Sequence, residues 1–167
     1  SIFITGTCFE YGNISGSISS DVKTYPINPY GFAKDNLRKQ LEFLQKEDEF
    51  EFIWARIFYI YGHGQAESSL YTSLKNAVKR GDKVFNMSGG EQIRDFLPVD
   101  VVASKIVDYS LNLKGSNIIN ICSGQPISIR SLVEKWIKQN NWDIKLNLGF
   151  YPYPDYEPFA FWGNNIT

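Results

Sequence analysis

The chain has 167 residues, 43% hydrophobic and 21% charged, which excludes a disordered segment and leaves room for one domain with a real core but not for two comfortable ones. A formal net charge of -1 encodes no general attraction to nucleic acid or to an anionic membrane, although local basic groups can still hold a phosphate. No apolar run reaches the ~20 residues of a spanning helix, and Cys8 and Cys122 show neither metal-type spacing nor a disulfide framework, so a reducing, cytoplasmic setting is expected.

The sequence opens on Ser1-Ile2-Phe3-Ile4-Thr5, an apolar strand of the kind that lies inside a sheet covered on both faces. It has no lead-in, so the chain reads as the later part of something longer. Thr5-Gly6-Thr7-Cys8 follows, a run of small residues that lets a ligand approach the strand's carboxyl end. Residues 12–28, rich in Ser, Gly and Pro, form a loop. From Tyr30 to about Asp48, Ala33, Leu37, Leu41 and Leu44 recur at helical spacing and predict an amphipathic helix. Phe50 to Ile57 is a second strand, and strand, loop, helix, strand is a βαβ unit that implies a parallel sheet.

Beyond Gly62-His63-Gly64-Gln65, a turn, residues 68–80 read as a helix ended by Gly81. Strands are expected over 83–87, 117–122 and 144–148. A helix over 99–113 opens at Pro98, where a missing amide proton costs little. Ser128 caps another helix, whose Ile129, Leu132, Val133, Trp136 and Ile137 follow the apolar period without a gap. The chain then runs into an aromatic, proline-rich tail, Tyr151 to Pro158, which is expected to pack over the core.

Within this frame Tyr30 and Lys34 stand four residues apart on one helix face, an arrangement that can serve as an acid/base device. Tyr71 and Lys75 share that spacing. What separates the two pairs is Thr7, which closes the strand before the Tyr30 loop, whereas the corresponding place before Tyr71 is held by Asp48 at a helix end.

Thr7 with Tyr30-x-x-x-Lys34 resembles the active-site pattern of the extended short-chain dehydrogenase/reductase family, which acts on nucleotide-linked sugars with NAD or NADP. Four further segments resemble the family in the same order: Thr5 to Gly12, ending in Tyr-Gly; Ala55 to Gly62; Arg94-Asp95-Phe96-Leu97-Pro98-Val99-Asp100; and Asn120 to Gly124. Together they cover about residues 1 to 130.

The resemblance implies an α/β fold: the second half of a Rossmann-type doubly wound parallel sheet, residues 1–62, with a small α/β substrate-binding domain over 63–167 from which 98–122 returns to the sheet. It implies Thr7, Tyr30 and Lys34 as catalytic, Tyr30, Lys34, Phe58 and Ile60 at the NAD or NADP cofactor, and Thr7, Cys8, Tyr59 and Arg94 at a nucleotide-diphosphate sugar. It also implies a homodimer built on the Tyr30 helix and the helix near Ser68, and a place in polysaccharide synthesis. The chemistry suits the residues. A tyrosine of pKa about 10 becomes a base near neutrality if neighbouring cations lower it by about three units, roughly 4 kcal/mol. Arg94 offers a fork that fits a diphosphate, against the alternative of a surface salt bridge with Glu91 or Asp95. Asp95 and Asp100 read as loop-ordering and helix-start residues, and His63, the only histidine, as solvated or locally bonded.

Three departures bound the resemblance. No Gly-x-x-Gly-x-x-Gly follows an opening strand, so the half that cradles the cofactor pyrophosphate is expected to be absent, the fragment itself inactive, and the sheet edge at residues 2–4 open to association. Cys8 and Phe9 stand where the family's dehydratases carry Asp-Glu, which favours an epimerase or 4-ketoreductase over a 4,6-dehydratase. Glu10 lies one place late for that role and, on a strand, would face the other way. Tyr59 replaces the usual asparagine. A non-catalytic nucleotide-sugar binding module remains the alternative from another class.

Overall fold

The computed structural model describes residues 2–153 and 157–164, so Ser1 of the opening strand and Pro154, Asp155 and Tyr156 of the tail lie outside the described residues. In chain order the elements begin with β1 (Ile2–Thr7), a single 3-10 turn (Cys8–Tyr11), β2 (Gly16–Ile18), α1 (Pro29–Leu44), β3 (Phe52–Ile57) and β4 (Tyr59–Tyr61). They continue with α2 (Leu70–Arg80), β5 (Val84–Asn86), β6 (Ile93–Arg94), β7 (Phe96–Pro98), α3 (Val99–Asn112) and β8 (Asn117–Ile121). The last are β9 (Ile127–Ser128), α4 (Ile129–Gln139), β10 (Lys145–Asn147) and β11 (Phe161–Gly163).

The central sheet is parallel, in the order β1-β3-β8, with Thr7 opposite Ile57 and Arg56 opposite Asn120. Every residue of β3 from Phe52 to Arg56 is buried, as expected of a strand covered on both faces. On one face Ile53, Ala55, Ile119 and Ile121 pack with Val102 and Ile106 of α3. On the other, the side chains of Trp54 and Arg56 meet Glu10, and α1 packs against this end of the sheet. Helices on opposite faces of a parallel sheet make this the Rossmann-type α/β arrangement that the βαβ pattern implies.

A second core gathers Leu74 and Ala77 of α2, Leu132, Val133 and Trp136 of α4, and Met87 and Ile144. Parallel β5 and β10 flank it. A third, smaller cluster lies at the carboxyl ends of β1, β3 and β8, where Cys8, Tyr11, Ile18, Phe58, Cys122 and Phe161 are buried together.

Among the described residues β1 pairs with β3 alone and Ile2 is exposed, so the sheet edge at residues 2–4 is open, as expected. Other expectations need correction. Residues 16–18 of the expected loop form β2, because Gly16–Ile18 finds a parallel partner in β11, which follows the tail. The Tyr30 helix ends at Leu44 rather than near Asp48.

That helix also presents an unexpected face to the sheet. Its buried residues are Gly31, Asp35 and Arg38, whereas Phe32, Leu37, Phe43 and Leu44 are exposed. The apolar stripe read from the sequence is therefore not what holds α1 in place; a polar one is. α2, by contrast, packs Leu74 and Ala77 into the second core.

Candidate active site

Thr7 ends β1, almost fully buried, and its side chain caps the 3-10 turn: Oγ1 accepts from the Phe9 amide at 3.4 Å. Glu10 completes the capping box by accepting the Thr7 amide at 2.9 Å. Glu10 is thus on a turn rather than a strand, and its carboxylate folds inward. It accepts from Trp54 Nε1 at 3.0 Å and from Arg56 Nε at 2.8 Å, with Arg38 Nε 4.0 Å away. Arg56 also donates to Tyr11 Oη and to the Ser20 carbonyl, each at 3.0 Å. The buried carboxylate therefore ties the strand end that carries Thr7 to β3.

α1 begins where this turn ends. Asn28 Oδ1 accepts the Gly31 amide at 2.8 Å, and Pro29 occupies a position with no amide to satisfy. Gly31 passes so close to the turn that a Cβ there would stand 2.5 Å from the Phe9 carbonyl oxygen. Lys34 Nζ donates to the Thr5 carbonyl at 2.9 Å, and Arg38 pairs with Asp35 at 2.7 Å while also bridging to Glu42. Gly31, Lys34, Asp35 and Arg38 follow the helical period, so this stripe clamps α1 to β1 and fixes Tyr30 at the helix mouth.

Tyr30 is 55% exposed and lines a cleft of about 520 Å³ with Phe9, Asn28 and Glu157. Phe9 meets Tyr30 edge-on at 6.5 Å and Tyr59 edge-on at 6.0 Å, so it stands between them. The Arg94 guanidinium lies 5.6 Å from the Tyr59 ring centre. Tyr59, Arg94 and Glu157 line a second cavity of about 290 Å³ that reaches Trp136. Burial pushes the Tyr59 hydroxyl well above the ordinary tyrosine range, so Tyr59 stays protonated and can donate a hydrogen bond.

Arg94 is 1% exposed, and neither Glu91 nor Asp95 is its partner. Its Nη2 donates to Glu157 at 2.7 Å, and its Nη1 to the carbonyls of Ile93 and Phe159 at 2.9 and 3.2 Å. Glu91 instead accepts from the Tyr153 hydroxyl at 2.6 Å. Asp95 is fully buried and accepts the amides of Ser123 and Gly124 at 2.7 and 2.9 Å, which is the loop-ordering part expected of it. Asp100 lies in the first turn of α3.

Of the other residues singled out, Cys8 and Phe58 belong to the small cluster under the sheet's carboxyl end, with Phe58 stacked on Phe161 at 5.2 Å. Burial pushes the Cys8 thiol far above its usual range, so the side chain stays protonated. Ile60 lines the Arg94 cavity. Tyr71, of the competing Tyr-x-x-x-Lys pair, packs edge-on against Trp136 at 5.0 Å beside the second core and lines the Arg94 cavity, away from the Thr7 turn. His63 lines a separate small cavity with Lys75 and Lys79. Sequence reasoning missed Glu10 and Glu157; the available signal was that Arg56, inside an apolar strand, and Arg94 each needed an anion. Among the described residues no group of His, Cys, Asp and Glu could hold a metal ion, and no helix is long and apolar enough to cross a membrane.

The sequence pattern of the NAD dependent epimerase/dehydratase family matches residues 1–122. The chain is 32% identical over 163 residues to dTDP-6-deoxy-L-talose 4-dehydrogenase (NAD(+)) of Aggregatibacter actinomycetemcomitans, covering 97% of this chain and 60% of that protein. It superposes with a TM-score of 0.81 on UDP-glucuronic acid 4-epimerase of Bacillus cereus in complex with UDP-glucuronic acid and NAD, at 25% identity, covering 97% of this chain and 52% of that one. RMD of Pseudomonas aeruginosa, complexed with NADPH, shares the fold with a TM-score of 0.81 at 20% identity, covering 99% of this chain and 61% of that one. The chain thus spans between about half and three-fifths of the length of these relatives. With Thr7, Tyr30 and Lys34 all inside the matched region, the chain belongs to the NAD-dependent epimerase/dehydratase family.

Proposed function

We propose that these residues form the cofactor-distal part of an NAD(P)-dependent enzyme that oxidises or reduces a nucleotide-linked sugar at a ring carbon, as a 4-ketoreductase or an epimerase. The observation that carries this reading is the clamp that brings the end of β1 and the start of α1 together: Lys34 holds the Thr5 carbonyl, Gly31 abuts Phe9, and Tyr30 is left facing an open cleft beside Thr7's turn. In this reading Tyr30 takes the proton from a sugar hydroxyl, or returns it. Lys34, one turn along, holds α1 to β1 and offers its ammonium to the cofactor ribose, and the Thr7 hydroxyl, whose oxygen already accepts from Phe9, donates to the same sugar oxygen. Arg94 binds the diphosphate, and the protonated Tyr59 beside it donates to a substrate oxygen.

NAD or NADP would accept the hydride in the oxidising direction and, in its reduced form, donate it in the reducing one. The residues present suit it: the exposed Tyr30 phenol and the Lys34 ammonium, held on the Thr5 carbonyl, fit a nicotinamide ribose, and Phe58 and Ile60 are assigned to the same cofactor. The sequence contains no Gly-x-x-Gly-x-x-Gly, and β1 presents an unpaired edge among the described residues. Both support a pyrophosphate-binding half contributed from outside these residues, and a turnover that needs it. A division of labour between residues 1–62 and 63–167, with 98–122 rejoining the sheet, is supported by α3 and β8 packing on β3 while α2 and α4 build a separate core.

The 32% identity to a 4-dehydrogenase favours the reductase branch, and Cys8 and Phe9 after Thr7 disfavour the dehydratase. The exposed Leu37 and Leu44, on the apolar stripe of α1, support a homodimer contact there. To test the assignment, Tyr30→Phe in the full-length protein should abolish turnover and leave nucleotide-sugar affinity within a few-fold. Retained turnover would sink it.

A further inference from the structure

The Arg94 seat is already filled by a carboxylate of the chain itself. Arg94 is 1% exposed, and two backbone carbonyls fix its plane through Nη1, so Nη2 is the edge it turns to Glu157. Its Nε is buried without a partner, a donor with nothing to donate to. The Glu157 side chain keeps 23% of its surface exposed, so it has somewhere to go when it leaves. Glu157 lines both the Tyr30 cleft and the Arg94 cavity, and stands where they meet. Among the described residues lining the two, Arg94 is the only cation and Glu157 the only carboxylate.

We infer that Glu157 is a specificity-determining residue: an internal counter-anion that a ligand must displace from Arg94, so that the site admits a diphosphate and rejects neutral sugars and singly charged ligands. This rests on the reading of Arg94 as the diphosphate site. A neutral ligand brings nothing to exchange for the Arg94–Glu157 pair. One of a single negative charge brings no more charge than the Glu157 carboxylate it displaces, and gains little. A diphosphate brings two adjacent phosphates, so one can take the Nη2 position while the other supplies an acceptor for the unpartnered Nε. Displacement also joins the two cavities, connecting the diphosphate to the sugar end at Tyr30.

The test needs no turnover. Inorganic pyrophosphate and orthophosphate are titrated calorimetrically into the protein, into Glu157→Gln, into Glu157→Ala and into Arg94→Met. Both Glu157 variants should bind pyrophosphate about ten-fold tighter than the parent, and the preference for pyrophosphate over orthophosphate should narrow, because the competing charge is gone. Arg94→Met should bind neither. If both Glu157 variants bind pyrophosphate no tighter than the parent while Arg94→Met abolishes binding, Glu157 is not the counter-anion and the Arg94 reading stands. If pyrophosphate fails to bind the parent and the Glu157 variants alike, Arg94 is not an anion site, and the inference falls with it.

Discussion

Replacing Glu10 by alanine should be among the most damaging single changes in this chain. Glu10 is fully buried and accepts hydrogen bonds from the Thr7 amide, the Trp54 indole and Arg56, over 2.8 to 3.0 Å. Its loss leaves a guanidinium that is itself 2% exposed without its carboxylate, and strands two further donors in the interior. Breaking a buried pair by removing one partner costs roughly 3–5 kcal/mol, and each orphaned neutral donor adds about 1–3 kcal/mol where water cannot reach it. Because a cavity the size of the lost side chain admits some water, the terms overlap, and a net loss of about 4 kcal/mol is expected. That is a large part of a typical domain's ~5–15 kcal/mol. Urea unfolding followed by far-ultraviolet circular dichroism gives the number, with Lys83→Ala as the reference. Lys83 pairs with Asp143 at 2.7 Å on the surface, where solvent and salt screen the pair and its loss changes stability little. A Glu10→Ala loss as small as that of Lys83→Ala would refute the view that this carboxylate holds β1, the turn and β3 together.

Other perturbations follow from the same contacts. Gly31→Ala places a Cβ 2.5 Å from the Phe9 carbonyl oxygen, so α1 must shift; a loss of about 2 kcal/mol is expected by denaturant titration, together with a fall in kcat if α1 carries Tyr30. Arg94→Met should raise KM for the nucleotide sugar by at least ten-fold with a smaller change in kcat, and an unchanged KM would remove Arg94 from the substrate. Burial pushes the Cys122 thiol from 9.0 up to about 12, so between those pH values the folded chain binds a proton the unfolded chain has lost. Stability should therefore fall as pH rises across that window, by up to about 1.4 kcal/mol per unit for this group, and Cys122→Ala should flatten the decline measured by urea unfolding.

How far the sequence could be read depends on the range of the interactions involved. α4 was legible because Leu132, Val133 and Trp136 repeat at the helical period and because Ser128 caps it, accepting the Ser131 amide at 3.1 Å. The βαβ unit was legible for a similar reason, and Thr7, Tyr30 and Lys34 could be placed once it was in hand. α1 misled: its apolar repeat pointed to a packing face, whereas the face on the sheet is a polar stripe whose partners, Thr5 and Glu10, lie far away in sequence. β2 with β11, β4 with β7 and β6 with β9 are pairs of two or three residues each, too short to carry a period and defined only by partners distant along the chain. Glu157 was hidden likewise, since nothing near it in sequence signals that its carboxylate meets Arg94.

The central claim is that Tyr30, held by Lys34 and the Thr7 turn, moves the proton that accompanies hydride transfer at a sugar carbon. Its most direct test follows deuterium from the C4 position of a labelled nucleotide sugar in the full-length protein supplied with NAD. Deuterium should appear on the reduced cofactor with the parent protein and be lost with Tyr30→Phe, while Tyr71→Phe transfers it as the parent does. Transfer undiminished in Tyr30→Phe would contradict the assignment.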